Sequence, residues 1–295
     1  MLSLIIPVYN EEQNIDIFLE KIVPIISETS KNNYEIIFCL DPSENDKTEE
    51  KILQSIEINK NIKLISFSRR FGQSNSIFAG IQNCNGDYCI IMDVDLQDPP
   101  ELIKKLHDKV LEGYDCVYAK RKKKIGETFL RNLITNIYYF VLNYFSYIPI
   151  PKNTGECRII SKKIIEEIKK SDENHCFIRG ITPLIGFKHT DVEFIRIARE
   201  IGKSKYTIGS YKDAISGIIN FTNLIPNLCL ILAFINILIL IFNIIFFKFN
   251  FSYFYMSIIF TIILFFLYFI FQYLIQINNA SMKRKPYIIN KKINF

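Results

Sequence analysis

The chain has 295 residues, of which 49% are apolar and 22% are charged, so it can bury a sizeable core and is not a disordered protein. Its net charge of +6 is compatible with a nucleic acid, a membrane surface or a phosphate-bearing substrate, and selects none of them. The seven cysteines are scattered without a C-x-x-C pair, which excludes a zinc-finger pattern and favours reduced, buried thiols in the cytosol.

Residues 1–120 alternate short apolar runs with longer amphipathic ones. Near-continuous apolar strands separated by helices are typical of an α/β fold whose mostly parallel sheet is covered on both faces. In such sheets, ligands bind beyond the carboxyl ends of the strands, and a polar cluster follows each of the first four predicted strands. The pattern predicts strands at 2–8, 34–40, 62–67, 87–92 and 114–119, and helices near 11–28, 44–57, 72–83 and 99–111.

An aromatic-rich helical pattern covers 131–147 and is too short to span a bilayer. Tyr and Phe with scattered Asn suit a helix at the headgroup level of a membrane, and an ordinary buried helix fits the pattern equally well.

The last third of the chain changes character. The runs 224–247 and 251–275 contain no charge, and each exceeds the ~20 residues that cross a bilayer. We therefore expect two C-terminal transmembrane helices, after a soluble domain over 1–205 and a juxtamembrane segment over 206–223. The tail, 276–295, is basic, and the positive-inside rule then puts the soluble domain and both termini in the cytoplasm.

An acidic stretch, DVDLQD, follows the fourth predicted strand. Asp98 fits the cap of the next helix, which leaves Asp93 and Asp95 unexplained. Two carboxylates two residues apart on an extended chain point to the same side. Oxygen ligands from Asp95 and the amide of Gln97, with water and phosphate oxygens, suit a hard divalent cation. The stretch therefore predicts a cation site at the end of this strand.

Several motifs, in this order, resemble inverting glycosyltransferase family two: IIPVYNEE at 5–12, SRRFGQSNSIFAG at 68–80, GDYCIIMDVDLQDPPE at 86–101, NTGECR at 153–158 and REIGKSKY at 199–206. Within that family, the chain is similar to the polyprenyl-phosphate group, which includes dolichol-phosphate mannose synthases and bactoprenol glucosyltransferases. The resemblance implies the GT-A fold, a Rossmann-like domain that binds a nucleotide-sugar at a D-x-D metal site. It also implies transfer of a single sugar, from a UDP-sugar, to undecaprenyl or dolichyl phosphate.

The resemblance also implies a role for each polar cluster. The catalytic candidates are Asp93, Asp95 and Glu156, the last standing where many relatives carry an aspartate. Mg²⁺ or Mn²⁺ on the diphosphate would be held by Asp95 and Gln97. The nucleotide-sugar would contact Pro7, Tyr9, Glu11, Asp41 and Asp93. The acceptor phosphate would be bound by Arg121, Arg131, Arg199, Ser204 and Lys205.

These residue types suit the implied chemistry. Breaking the bond between the sugar C1 and the diphosphate oxygen leaves negative charge on the nucleotide, which a metal ion neutralises. The attacking lipid phosphate is already an anion, so it needs cations that bind it more than it needs a strong base. One departure affects the donor pocket: Pro42 replaces the glycine that usually follows the aspartate of the second strand.

Two other functions remain open: a family-two transferase with another lipid-linked or glycan acceptor, and a catalytically inactive membrane scaffold. Retention of the D-x-D stretch and of Arg121 argues against the scaffold. A processive synthase is disfavoured because the chain has no Trp for a Q-x-x-R-W motif. The expected partners are the nucleotide-sugar, the polyprenyl phosphate, a lipid bilayer and a second copy of the chain in a homo-oligomer. No nucleic-acid partner is expected.

Overall fold

The computed structural model describes residues 1–43, 46–122, 129–146, 148–171, 177–197, 222, 252–281 and 285–295. The chain divides into two compact units. The first contains Met1–Asn132, Ile150–Tyr206 and Lys285–Phe295, and the second contains Leu133–Pro149 and Thr207–Arg284.

The first unit is built on one mixed sheet. Its strands are β1 Leu2–Val8, β2 Tyr34–Leu40, β3 Ile62–Phe67, β4 Tyr88–Ile91, β5 Cys116–Arg121, β6 Thr154–Ser161, β7 His189–Phe194 and β8 Ile289–Ile293. Its helices are α1 Glu12–Ser30, α2 Thr48–Ile58, α3 Gln73–Asn83, α4 Leu102–Leu111, α6 Lys162–Lys170 and α7 Ile178–Ile185. The strand order is β7-β5-β6-β4-β1-β2-β3-β8. All five predicted strands and all four predicted helices are present, with shifts of a few residues at their ends.

The sheet is parallel at its centre and antiparallel at β6 and β8. β1 pairs in parallel with both β2 and β4, and β2 pairs in parallel with β3. β6 runs antiparallel to β4 and β5, while β8 runs antiparallel to β3. The central strands are apolar because both faces are covered: Ile5 and Ile6 of β1 point to opposite faces and are both completely buried.

The register of the central strands sets where the site forms. Val8 of β1 lies opposite Leu40 of β2, so both strands end at one level. Ile5 lies opposite Ile91 of β4, and the N–H of Met92 donates to the carbonyl of Ile5 at 3.1 Å. The polar segments after β1, β2 and β4 therefore start at the same edge of the sheet.

The two transmembrane helices predicted over 224–247 and 251–275 are not borne out, and that part of the expected fold class is wrong. In the part of the chain that the structure describes, no helix combines the length and the apolar character needed to cross a membrane. The first run and residue 251 lie outside the described residues, and the rest of the second run, 252–275, belongs to α8, Ser252–Ser281. A run without charges can still contain polar side chains, and the second run contains Ser252, Ser257, Thr261 and Gln272.

The aromatic stretch forms α5, Phe129–Phe145, most of which belongs to the second unit. One of its faces is apolar and exposed, because the large side chains with exposed fractions of 44–71% recur at helical spacing: Leu133, Ile137, Phe140 and Tyr144. Leu142, by contrast, is buried.

The cysteines within the described residues are reduced and buried, as the sequence predicts: Cys39, Cys84, Cys89, Cys116 and Cys157. Cys176 and Cys229 lie outside the described residues.

Candidate active site

The acidic stretch forms a tight turn just beyond β4. Leu96 adopts a left-handed backbone conformation, with φ of 55°, which reverses the chain within the stretch. The Asp95 Oδ1 accepts a hydrogen bond from the N–H of Gln97 at 3.2 Å, and Asp95 is 9% exposed. The two predicted metal ligands are therefore linked directly to each other on one short turn.

Asp93, the first residue of the acidic stretch, lies close to several other carboxylates, which disfavour its negative charge. Its Oδ1 accepts a hydrogen bond of 2.7 Å from the Nε2 of Gln73, the first residue of α3. Burial, and then the nearby carboxylates of Asp98 and Asp95, raise the pKa of Asp93 to about 7. An excess of negative charge is therefore concentrated at this turn.

Asp41 follows β2 and binds the segment that leads into α3. Its two carboxylate oxygens accept hydrogen bonds from the backbone N–H groups of Phe71 and Gly72, each at 2.9 Å. Burial raises the pKa of Asp41, although both hydrogen bonds oppose that rise. Gly72 has a φ of 91°, which a side chain would strain, so the glycine lets α3 start directly after this contact. Because both Asp41 oxygens accept backbone hydrogen bonds, Asp41 fixes the position of the loop before α3, which would form one wall of the predicted nucleotide pocket.

The predicted nucleotide contacts at the end of β1 lie beside Asp41. The N–H of Asp41 donates to the carbonyl of Val8 at 3.1 Å, and Pro7 and Tyr9 are partly exposed on either side of Val8. The guanidinium of Arg70 stacks over the Tyr9 ring at 4.0 Å from its centroid. The structure thus brings the end of β1, Asp41 and the loop before α3 together.

Glu11 lies just before α1 and is 9% exposed. Its Oε2 accepts a hydrogen bond of 2.5 Å from Asn14, and its N–H donates to the Thr48 hydroxyl at 2.9 Å. The carboxylate predicted to contact the nucleotide is therefore held at the start of α1.

Arg121, the last residue of β5, faces Asp98. The Arg121 Nη2 lies 3.9 Å from the Asp98 Oδ1, and Asp98 is 2% exposed. The predicted capping role of Asp98 is wrong: α4 begins at Leu102, and its N-cap, Glu101, makes no side-chain capping bond. The prolines at 99 and 100 delay the helix, because the residue before a proline disfavours helical backbone, and Asp98 is left to pair with an arginine.

Glu156 lies in β6 between two arginines. Its Oε1 accepts a hydrogen bond from the Arg179 Nε at 2.7 Å, and its Oε2 lies 3.7 Å from the Arg158 Nη2. Burial by itself would raise the pKa of Glu156, but the guanidiniums of Arg179 and Arg158 outweigh burial and hold this pKa below its ordinary value. Glu156 is therefore an ion-paired carboxylate at neutral pH.

We expect the Glu156 ion pairs to make the protein sensitive to acid. Because the folded-state pKa is lowered, the stabilisation is complete above the ordinary glutamate pKa of 4.5 and is lost as pH falls through the folded-state value. The difference in unfolding free energy between the wild type and Glu156→Gln should stay constant from pH 7 to about pH 5 and shrink below it. Urea unfolding at a series of pH values measures this difference. Glu167→Gln, at an exposed ion pair with Lys170, is the control, and a difference that grows towards acid pH would contradict the prediction.

The other predicted acceptor ligands are described only in part. Arg131 lies in the first turn of α5. Arg199, Ser204 and Lys205 lie outside the described residues.

The residues at the β4 turn fit a hard divalent cation that is shared with a substrate. Carboxylate and amide oxygens are the donors that such ions prefer, and the Asp98 Oδ1 is buried without a hydrogen-bond partner among the described residues. Those residues hold no cluster of three or more His, Cys, Asp or Glu side chains that would bind a metal alone. Water and diphosphate oxygens would have to complete the shell, as is usual for Mg²⁺.

Sequence reasoning did not assign a role to Gln73, Arg179 or Arg196. Gln73 lies in the family motif SRRFGQSNSIFAG, directly after Gly72, and its place in that motif could have marked it as a candidate site residue. Arg179 and Arg196 reach the site from α7 and from the residues after β7, two elements that the apolar pattern did not predict.

Comparison with known proteins identifies the family. The model of the family described as Glycosyl transferase family 2 matches residues 3–169, more than half of the chain. An uncharacterized glycosyltransferase of Bacillus subtilis is 37% identical over 222 residues, which cover 75% of this chain and 68% of the relative. A bactoprenol glucosyl transferase of Shigella phage SfX is 36% identical over 206 residues, which cover 70% of this chain and 67% of the relative.

A solved structure supports the same fold. Glucosyl-3-phosphoglycerate synthase of Mycobacterium tuberculosis, in complex with Mn²⁺, UDP and phosphoglyceric acid, superimposes with a TM-score of 0.52 and 16% identity. The match covers 74% of this chain and 76% of that one. Together with the family match and the relatives above 30% identity, the fold confirms the resemblance, and this chain belongs to glycosyltransferase family 2.

Proposed function

We propose that this enzyme transfers a single sugar from a nucleotide-sugar, preferably a UDP-sugar, to a polyprenyl phosphate, with inversion at the sugar C1. One observation carries the proposal: the acidic turn after β4 lies directly against the Arg121 guanidinium. A site for a metal-bound diphosphate therefore adjoins a site for an anionic acceptor. The similarity to bactoprenol glucosyl transferases supports a polyprenyl phosphate as that acceptor.

The donor would bind across the ends of β1, β2 and β4. Tyr9, Glu11 and the wall held by Asp41 would contact the nucleoside, and Asp93, fixed by Gln73, would orient the sugar. Asp95 and Gln97 would hold Mg²⁺ or Mn²⁺, which when bound neutralises the charge that develops on the diphosphate.

The acceptor phosphate would approach C1 from the side opposite the diphosphate. Its oxygen forms the new bond to C1 while the bond to the diphosphate breaks, and the electron pair leaves with the nucleoside diphosphate. Arg121 would bind the acceptor phosphate and offset the repulsion between the two anions. The attacking oxygen carries no proton at neutral pH, so no base is needed, and the ion-paired Glu156 would hold Arg179 in place.

We also propose that the enzyme works at the cytoplasmic face of a membrane, where a lipid acceptor is presented. The exposed apolar face of α5 supports contact with a lipid surface, because removal of such a face from water lowers the free energy. Assembly as a homo-oligomer stays a prediction.

A transfer assay tests the proposed function. Purified full-length protein is incubated with MnCl₂ or MgCl₂, undecaprenyl phosphate in detergent micelles, and a panel of UDP- and GDP-sugars. We expect a lipid-linked monosaccharide with at least one donor, detected by mass spectrometry, and none without the lipid. Transfer only to a non-lipid acceptor, or no transfer with any donor, would contradict the proposal.

A further inference from the structure

Three buried polar atoms around Asp98 lack a hydrogen-bond partner within the described part of the chain. They are the Asp98 Oδ1, the Arg121 Nε and the Arg196 Nε. Buried polar atoms in folded proteins are nearly always paired, so orphaned atoms on neighbouring side chains indicate a missing partner. Both orphaned N–H groups belong to guanidiniums, which indicates that their partner is an anion, whereas the orphaned Asp98 oxygen requires a hydrogen-bond donor or a cation.

Arg196 is placed beside this cluster by backbone contacts on both sides. Phe194, at the end of β7, lies opposite Arg121 of β5 and accepts a hydrogen bond from the N–H of Lys122 at 2.8 Å. On the other side of Arg196, the N–H of the next residue, Ile197, donates a hydrogen bond to the carbonyl of Gln97 at 3.1 Å. The segment is thereby attached to the β4 turn itself.

The side chains of this segment alternate in exposure. Ile195 and Ile197 are 71% and 49% exposed, whereas Arg196 between them is partly buried. The negative charge of Asp98 interacts with the positive charges of both Arg121 and Arg196. Asp98 is thus a counter-ion to both arginines.

Arg121 has little freedom to move away from Asp98. A Cβ atom added to Gly155 of β6 would lie only 2.5 Å from the Arg121 Nη2, so the guanidinium packs directly against the backbone there. The absence of a side chain at Gly155 is what leaves room for the guanidinium.

We propose that Asp98 is a positioning residue that holds Arg121 and Arg196 together as a two-arginine clamp for a phosphate group. The inference rests on the proposed function and adds Arg196 and Asp98 to it. Two guanidiniums repel each other when they are removed from water, and a buried carboxylate between them offsets that repulsion. Their remaining N–H groups have the planar geometry that binds phosphate oxygens in pairs. The phosphate is that of the lipid acceptor or the diphosphate of the donor, which share this chemistry.

Direct binding measurements test the clamp and identify the phosphate. Arg196→Gln and Asp98→Asn are compared with the wild type in two titrations, one with UDP and MnCl₂ and one with a short-chain polyprenyl phosphate. We expect each variant to bind the same one of the two ligands at least about tenfold more weakly. Arg196→Gln removes a charged hydrogen bond to the phosphate, and Asp98→Asn removes the charge that holds the two arginines together. The ligand that is affected identifies which phosphate the clamp holds.

Two further variants separate positioning from a merely structural role. Gly155→Ala should displace Arg121 without changing any charge and should weaken the same ligand as Arg196→Gln. Lys120→Gln removes a cation from the neighbouring position of β5, where Lys120 pairs with Asp191 at 3.3 Å, and should leave both affinities unchanged. Affinities within twofold of the wild type in Arg196→Gln and Asp98→Asn, with normal melting temperatures, would overturn the clamp.

The two proposals fail separately. If the wild type binds UDP but transfers no sugar to lipid, the proposed acceptor is wrong, and the clamp is still decided by the UDP titration. If transfer occurs but the variants bind both ligands normally, the clamp alone is wrong.

Discussion

Asp95→Ala is expected to abolish sugar transfer and to leave the fold intact. Asp95 supplies a carboxylate to the proposed cation, and neutralisation of the leaving diphosphate by that cation lowers the activation barrier by roughly several kcal/mol. We therefore expect kcat to fall by about 1,000-fold or more. The fold should survive because removal of one of several crowded carboxylates relieves repulsion at the β4 turn. The measurement is the initial rate of lipid-linked product, with the melting temperature recorded alongside.

Asp108→Asn is the matched control for that experiment. Asp108 is exposed on α4, so the loss of its charge should leave the rate unchanged. Chelation with EDTA should stop the wild type, and added Mn²⁺ or Mg²⁺ should restore it. Wild-type rates in Asp95→Ala, or full activity in EDTA, would rule out the proposed metal role.

Arg158→Met is expected to be the most destabilising of the substitutions considered. Arg158 is completely buried, and its guanidinium donates hydrogen bonds at 2.9–3.2 Å to the Thr182 hydroxyl and to the backbone carbonyls of Gly155, Glu156 and Ile178. Methionine fills a similar volume but removes all of these hydrogen bonds and the ion pair with one side of the Glu156 carboxylate. Breaking a buried ion pair on one side costs about 3–5 kcal/mol, which urea unfolding of the full-length protein would measure.

Lys170→Met provides the comparison for that prediction. Lys170 pairs with Glu167 on the exposed face of α6, where solvent screening leaves an ion pair with little effect on stability. If Arg158→Met costs no more than Lys170→Met, the proposed anchoring of Glu156 is wrong.

The central half of the fold was predictable from the sequence because its strands are buried on both faces. The runs at 2–8, 34–40 and 62–67 coincide with β1, β2 and β3, since burial of both faces leaves an apolar signal that does not depend on partners. The carboxyl-end rule also placed Asp93 and Asp95 correctly at the end of β4. The sequence prediction failed for β8: it lies in the predicted basic tail, and its adjacent residues Lys291 and Lys292 pair with β3 at a sheet edge that the sequence pattern does not identify.

By itself, the sequence determined the parallel centre of the sheet, the acidic turn after β4 and the membership of glycosyltransferase family 2, because these depend on local patterns and short motifs. Only the tertiary structure decided which charged side chains contact one another and which backbone groups they bind. Asp98 holds Arg121 instead of capping α4, Asp41 binds the backbone before α3, and Arg196 reaches the β4 turn from the end of β7. These contacts join residues 23 to about 100 positions apart, and a carboxylate's role depends on which charge the fold brings within a few ångströms of it.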